Sequence, residues 1–235
     1  MQLSKLENRA YEMLRNSKFV VFRIRDLCLL LEIKRVKAYN LIKSLKKKNA
    51  IKTIKRGLFS FNDVDEFVLA TSVHFPSYIS FWSALNYYGF TDNMPKRIFL
   101  STTRYSKEIN NFKYITVSKK RFFGYHSIGS IIIAEKEKAL IDSFLFPKYS
   151  GGIKEIIKCM ENSLNEIDMK KLLNYAGKMQ SKSLLRRLGY VLEFIAHKKY
   201  LNSINKKIGK GYELLDPSLK RKNNLNRRWL LDVNT

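Results

Sequence analysis

Ile33-Lys34-Arg35-Val36-Lys37-Ala38-Tyr39-Asn40-Leu41-Ile42-Lys43-Ser44-Leu45-Lys46-Lys47-Lys48-Asn49-Ala50-Ile51-Lys52-Thr53-Ile54-Lys55-Arg56 holds ten Lys or Arg residues and no Asp or Glu. Within it Ala38, Leu41, Ile42 and Leu45 recur at the i, i+3, i+4, i+7 spacing of one buried helical stripe. A helical wheel then turns Val36, Asn40, Lys43 and Lys47 outward, with Lys37, Tyr39 and Ser44 on the flanks. Solvated faces normally mix charge signs, because like charges repel and only an anionic partner offsets that repulsion. Nucleic acid is the commonest such partner.

The flanking segments supply a fold for this helix. Leu3 to Asn16 carries a helical stripe through Leu3, Leu6, Ala10, Met13 and Leu14, and Phe19-Val20-Val21-Phe22 reads as a minimal strand. Ile24, Leu27, Cys28, Leu30 and Leu31 mark a second helix, and the basic helix is the third. Ile51 to Ile54 and Leu58 to Phe61 then alternate about Lys55-Arg56-Gly57, a hairpin whose glycine allows the turn. Helix, strand, helix, helix, hairpin is the order of a winged helix-turn-helix. The third helix of that unit lies in the DNA major groove, where each base pair presents its own donors and acceptors. Asn40 can pair with adenine, Val36 can touch a thymine methyl, and Lys34, Arg35 or Lys37 can reach guanine or phosphate. Lys52, Lys55 and Arg56 sit on the wing, where phosphate or minor-groove contact is expected.

Composition points the same way. Across 235 residues the formal net charge is +25, with a pI near 10.0, in the range of nucleic-acid binders. No apolar stretch long enough to span a bilayer, secretory leader or lipidation signal is present, so a cytoplasmic protein without membrane attachment is expected. Cys28 and Cys159 lie in apolar helical runs and read as buried, reduced thiols; they and three scattered histidines give no metal-ligand spacing.

Beyond the winged unit, expected at 1–72, the connector Thr71 to Ser77 leads into a second unit at 77–235, with an internal boundary placed near 148–152. Tyr78 to Phe90 reads as a buried aromatic helix capped by Gly89. Strand-like runs at Arg97–Ser101, Tyr114–Val117, Phe122–Tyr125 and Ile131–Ile133 suggest an antiparallel or mixed sheet. Helices follow at Ala134–Phe146, Ile153–Met160, Met169–Tyr175 and Leu184–Ala196, then short strands around Tyr212–Leu215 and Trp229–Val233. The expected class is α+β: an N-terminal winged helix-turn-helix, a mixed α/β middle region and a mostly helical C-terminal region. From Lys178 to Arg228 there are fourteen basic and three acidic residues; contact with DNA, opposition to an acidic partner and simple solvation all fit.

At this point the chain resembles AbiEi-type antitoxins. The resemblance is carried by Gly57-Leu58-Phe59, Tyr78-Ile79-Ser80 with Ala84-Leu85 and Gly89, Glu135-Lys136-Glu137-Lys138-Ala139-Leu140-Ile141-Asp142, and Arg187-Leu188-Gly189-Tyr190-Val191-Leu192-Glu193. Leu215-Asp216-Pro217 and Asn226-Arg227-Arg228-Trp229 look similar too. The resemblance implies an antitoxin of a type IV toxin-antitoxin module linked to phage resistance. Its winged domain would bind inverted repeats in its own promoter as double-stranded DNA, as a dimer on the DNA, and repress transcription. Its C-terminal domain would aid repression and antagonise a nucleotidyltransferase-like toxin, by contact or indirectly.

Enzyme motifs are lacking. Gly129-Ser130 is followed by Ile131-Ile132-Ile133, not by the carboxylates a nucleotidyltransferase needs for magnesium. Glu135-Lys136-Glu137-Lys138 has the wrong spacing for a Glu-x-Lys nuclease site, and acids opening a helix are explained by its dipole and by solubility. No Walker loop, nucleophile elbow or zincin motif occurs. The expectation is a non-enzymatic regulator with no cofactor or metal; the alternative is a metal-dependent nuclease with a winged substrate domain, using acids such as Asp92 or Asp142.

Overall fold

Ser4 starts the first helix through a reciprocal cap: Glu7 N–H donates to Ser4 Oγ at 3.4 Å, and Ser4 N–H donates to the Glu7 carboxylate at 2.5 Å. This helix, α1 (Lys5–Asn16), is followed by α2 (Ile24–Leu31) and α3 (Arg35–Lys47). The computed structural model describes residues 2–235, the side chain of Lys198 excepted. Glu32 ends α2 in the left-handed conformation, and Ile33 N–H donates to Cys28 O at 3.2 Å, so the chain reverses sharply into the basic helix. Asn49, also left-handed, ends the α3 segment, and Ala50 N–H closes it on Leu45 O at 2.9 Å.

The hairpin of β1 (Ile51–Lys55) and β2 (Leu58–Phe61) comes next; its register shifts between Thr53 and Lys55, and Gly57 takes φ +75° in the turn. Phe22 joins Phe59 through two backbone hydrogen bonds of 2.9 Å, so the expected strand Phe19–Phe22 is a single bridge. Ala38, Leu41, Ile42 and Leu45 pack with Ala10, Leu14, Phe22, Leu27, Phe59 and Phe61 in one core. All four β2 residues are buried, against the expected alternation. Phe59 and Phe61 enter that core, while Ser60 Oγ on the other face donates to Val20 O at 2.6 Å. α4 (Glu66–Val73), capped by Asp65, runs into the first three residues of the expected connector.

Two compact units divide the chain, one running to Phe75 with Glu108–Asn111 and the other comprising Pro76–Lys107 and Phe112–Thr235. With helices and sheets together, the class is α+β. The expected helix from Tyr78 is instead β3 (Ser77–Ile79) followed by α5 (Phe81–Tyr87). Phe81 has φ +53°, the sharp corner between them. The other strands are β4 (Ile98–Thr102), β5 (Lys107–Ile109), β6 (Phe112–Thr116), β7 (Tyr125–Ile128) and β8 (Ile131–Ala134), in a sheet ordered β5-β6-β4-β3-β8-β7. The sheet is mixed: β4 runs parallel to β6 and β3 to β8, while β3–β4 and β7–β8 are antiparallel. Phe122-Phe123-Gly124 lies outside the strand expected there, because Gly124 turns at φ +69° just before β7.

Under the sheet runs α6 (Lys136–Leu145), buried at every residue from Glu137 to Leu145. Against it pack α7 (Ile153–Ser163), α8 (Met169–Lys178) and α9 (Lys182–Phe194), and α10 (Leu201–Asn205) packs on α9. Strands β9 (Glu213–Leu214), β10 (Leu225–Asn226) and β11 (Leu231–Asp232) form a separate small sheet. Trp229, fully buried, lies against Gly189 of α9, where a Cβ would stand 2.1 Å from the indole.

Candidate nucleic-acid interface

Burial of its apolar stripe leaves the opposite face of α3 in solvent. Lys34, Arg35, Val36, Lys37, Tyr39, Asn40, Lys43 and Lys47 are all exposed, Val36 at 73% and Tyr39 at 57%. Two large apolar groups are thus presented among cations on one helix. Among the described residues, no carboxylate lies within 4.0 Å of Lys34, Arg35, Lys37, Lys43, Lys46, Lys47 or Arg56.

Other candidates have structural ties. Ser44 is half-buried and donates from Oγ to Glu7 at 2.5 Å, so it joins α3 to α1 and does not face outward. Lys48 donates to the other Glu7 oxygen at 2.6 Å. These bonds from Lys48 and Ser44, with that from the Ser4 N–H, hold the Glu7 carboxyl at about 2, well below its ordinary value. Glu7 therefore stays ionised and braces the C-terminal half of α3. Lys52 is half-buried on the β1–β2 hairpin, close enough to Asp63 to help lower its carboxyl; Arg15, bonded to Asp63 at 2.6 Å, does most of that. Lys55 is half-buried, and Arg56 is exposed at the turn.

Arg23 and Arg25, at the start of α2, were not among the expected contacts. With Ile24, Cys28, Arg35 and Gly57 they line an open groove of about 450 Å³. Arg23 is the N-cap residue and Arg25 lies in the first turn, and both are exposed. Cys28 is half-buried in this groove, in contrast to the buried thiol expected; Cys159 is fully buried, and burial pushes its thiol up to about 12.

Several titratable groups of the second unit are buried and bonded internally. Asp142 accepts from Tyr78 Oη at 3.0 Å, Ser80 Oγ at 2.8 Å, Ser101 Oγ at 3.3 Å and Lys138 Nζ. Lys138 also donates to Tyr78 Oη at 2.9 Å. Burial lowers the Lys138 ammonium and raises the Tyr78 phenol. Glu137, expected on solubility grounds, is buried, accepting Asp168 N–H at 3.0 Å and pairing with Lys171 at 3.2 Å. Among the described residues no group of three or more His, Cys, Asp and Glu is placed to hold a metal ion. Part of the basic stretch 178–228 is structural too. Arg187 donates to Phe144 O at 3.1 Å and Leu215 O at 3.0 Å, Arg186 donates to Lys210 O at 2.7 Å, and Arg228 pairs with Glu193.

No family model matches the chain, and no curated protein matches it. The fold is similar to the crystal structure of the RV2827C protein from Mycobacterium tuberculosis, with a TM-score of 0.70 over 98% of this chain and 92% of that one. At 12% identity the likeness is one of fold alone. No helix among the described residues is long and apolar enough to cross a membrane.

Proposed function

We propose that the protein is a DNA-binding transcriptional regulator, the autorepressing antitoxin of a type IV, AbiE-like toxin-antitoxin or phage-defence module. The observation that carries this reading is the exposed face of α3, where Val36, Tyr39 and Asn40 stand among cations that have no carboxylate partner. With the β1–β2 hairpin as a wing, α3 supplies a reading helix whose lysines meet phosphate while Val36 and Asn40 meet base edges. Lys34, Arg35, Lys37, Lys43 and Lys47, with Lys52, Lys55 and Arg56 of the hairpin, are the remaining DNA contacts of this reading, and Ser44 positions the helix through Glu7.

The antitoxin part rests on the resemblance to AbiEi-type proteins. Most of its motif residues are architectural here: Gly57 and Gly89 adopt positive φ, Lys138 and Asp142 pair within α6, and Gly189 admits Trp229. They support shared architecture, and they leave antagonism of a nucleotidyltransferase-like toxin to the second unit. A nuclease is disfavoured because Asp142 is committed to Lys138 and three hydroxyls.

The test is a mobility-shift titration with the DNA upstream of the protein's own gene, followed by co-expression with the adjacent reading frame. Binding to inverted repeats there, repression of a reporter and rescue from a toxic neighbour support the proposal. Magnesium- or manganese-dependent cleavage of DNA, lost in Asp142→Ala or Glu137→Ala, would reject it in favour of the nuclease.

A further inference from the structure

Three guanidinium-bearing residues from the starts of two helices in the first unit line one groove. Arg23 is the N-cap of α2, Arg25 lies in its first turn, and Arg35 opens α3. Ile24 and Cys28 form an apolar floor, and the wing contributes Gly57, beside which a Cβ would meet nothing within 4 Å. Among the described residues none of the three guanidinium groups has a carboxylate within 4.0 Å. Asp26, in the same turn, is committed to the Arg23 backbone N–H at 2.6 Å. Guanidinium groups gathered without an ion-pair partner of their own repel one another, and a bound anion relieves that repulsion. The forked, planar guanidinium matches the oxygens of a phosphate.

At about 450 Å³ the groove exceeds what a bare phosphate fills, and its floor is apolar. Both features fit a phosphate that carries a sugar. We propose that the groove holds a backbone phosphodiester of duplex DNA, with Arg23, Arg25 and Arg35 on the phosphate and the deoxyribose over Ile24 and Cys28. The inference rests on the DNA-binding reading and deepens it, since it adds a clamp on the strand beside the reading helix. Phosphate contacts fix register and orientation without reading sequence.

The full-length protein and its Arg23→Gln/Arg25→Gln variant are titrated with a random-sequence duplex across a salt series. Loss of this one phosphate contact lowers the slope of log K against log salt by about 0.9 in magnitude. The loss of affinity is by the same factor on random and on promoter DNA. Cys28 gives a second readout that needs no variant: Cys159 is sealed, so a thiol-alkylating reagent reports Cys28, and saturating duplex slows its reaction. An unchanged slope, or alkylation of Cys28 at the same rate with and without duplex, overturns the clamp while leaving DNA binding by α3 intact. Protection of Cys28 by a deoxymononucleotide as strong as that by duplex also overturns it, since the groove would then be a pocket for free nucleotide. Failure of the wild-type protein to bind any duplex overturns both this inference and the reading beneath it.

Discussion

Lys138→Met should destabilise the second unit severely. Lys138 and Asp142 are both 0% exposed, one turn apart on α6, and paired. Removing either partner leaves the other charge uncompensated in a low-dielectric site, which costs about 3–5 kcal/mol. Lys138→Met leaves Asp142 with hydroxyl donors at 3.0, 2.8 and 3.3 Å from Tyr78, Ser80 and Ser101, so the loss falls near the lower end of that range. Asp142→Asn leaves the Lys138 ammonium with neutral acceptors alone, the Asn carbonyl and Tyr78 Oη at 2.9 Å, and falls near the upper end. The double variant Lys138→Met/Asp142→Asn buries no charge and keeps a carbonyl acceptor for the hydroxyls, so it should lose only about 1–2 kcal/mol, of the order of one or two buried hydrogen bonds. Urea denaturation followed by tryptophan fluorescence gives the three values, and the double-mutant cycle gives the coupling. Additive losses would refute the reasoning, as would a single variant within about 0.5 kcal/mol of wild type, the size of an ordinary surface change.

Further consequences can be measured separately. The Glu7 carboxyl is held at about 2 against an ordinary 4.5, so its contribution is fully present above 4.5 and is lost as pH falls toward 2; Glu7→Gln should flatten that acid limb in denaturation curves taken from neutral pH downward. Gly189→Ala forces a methyl to within 2.1 Å of Trp229, and overpacking of this kind should cost about 1–3 kcal/mol in thermal melts. Val36→Ala and Asn40→Ala remove exposed side chains, so stability should stay within about 0.5 kcal/mol. If Asn40 reads a base, its variant loses about 1–3 kcal/mol of preference for promoter over random DNA in competition binding.

What the sequence disclosed depended on periodicity. Ala38, Leu41, Ile42 and Leu45 recur with a clean helical period, and all four are buried. Short or two-sided elements gave no such pattern. Tyr78 and Ile79 continue an aromatic, helix-like run, yet they pair with β4 because the chain turns at Phe81, a conformation that no residue pattern announces. β7 is exposed throughout and lacks the apolar alternation that marks a half-buried strand. Lys138 and Asp142 have the i, i+4 spacing of a surface ion pair; only three-dimensional packing reveals them as buried. The same holds for Ser44, whose partner Glu7 lies 37 residues away in the chain.

The central claim is that the cationic face of α3 binds duplex DNA. Its most direct test is the salt dependence of binding to DNA upstream of the protein's own gene, for the wild type and for Lys43→Gln and Lys47→Gln. The account predicts a steep fall in affinity with salt, with a slope shallower by about 0.9 in each variant that loses a phosphate contact. Binding whose salt slope is the same in the wild type and both variants, or no binding at all, contradicts it.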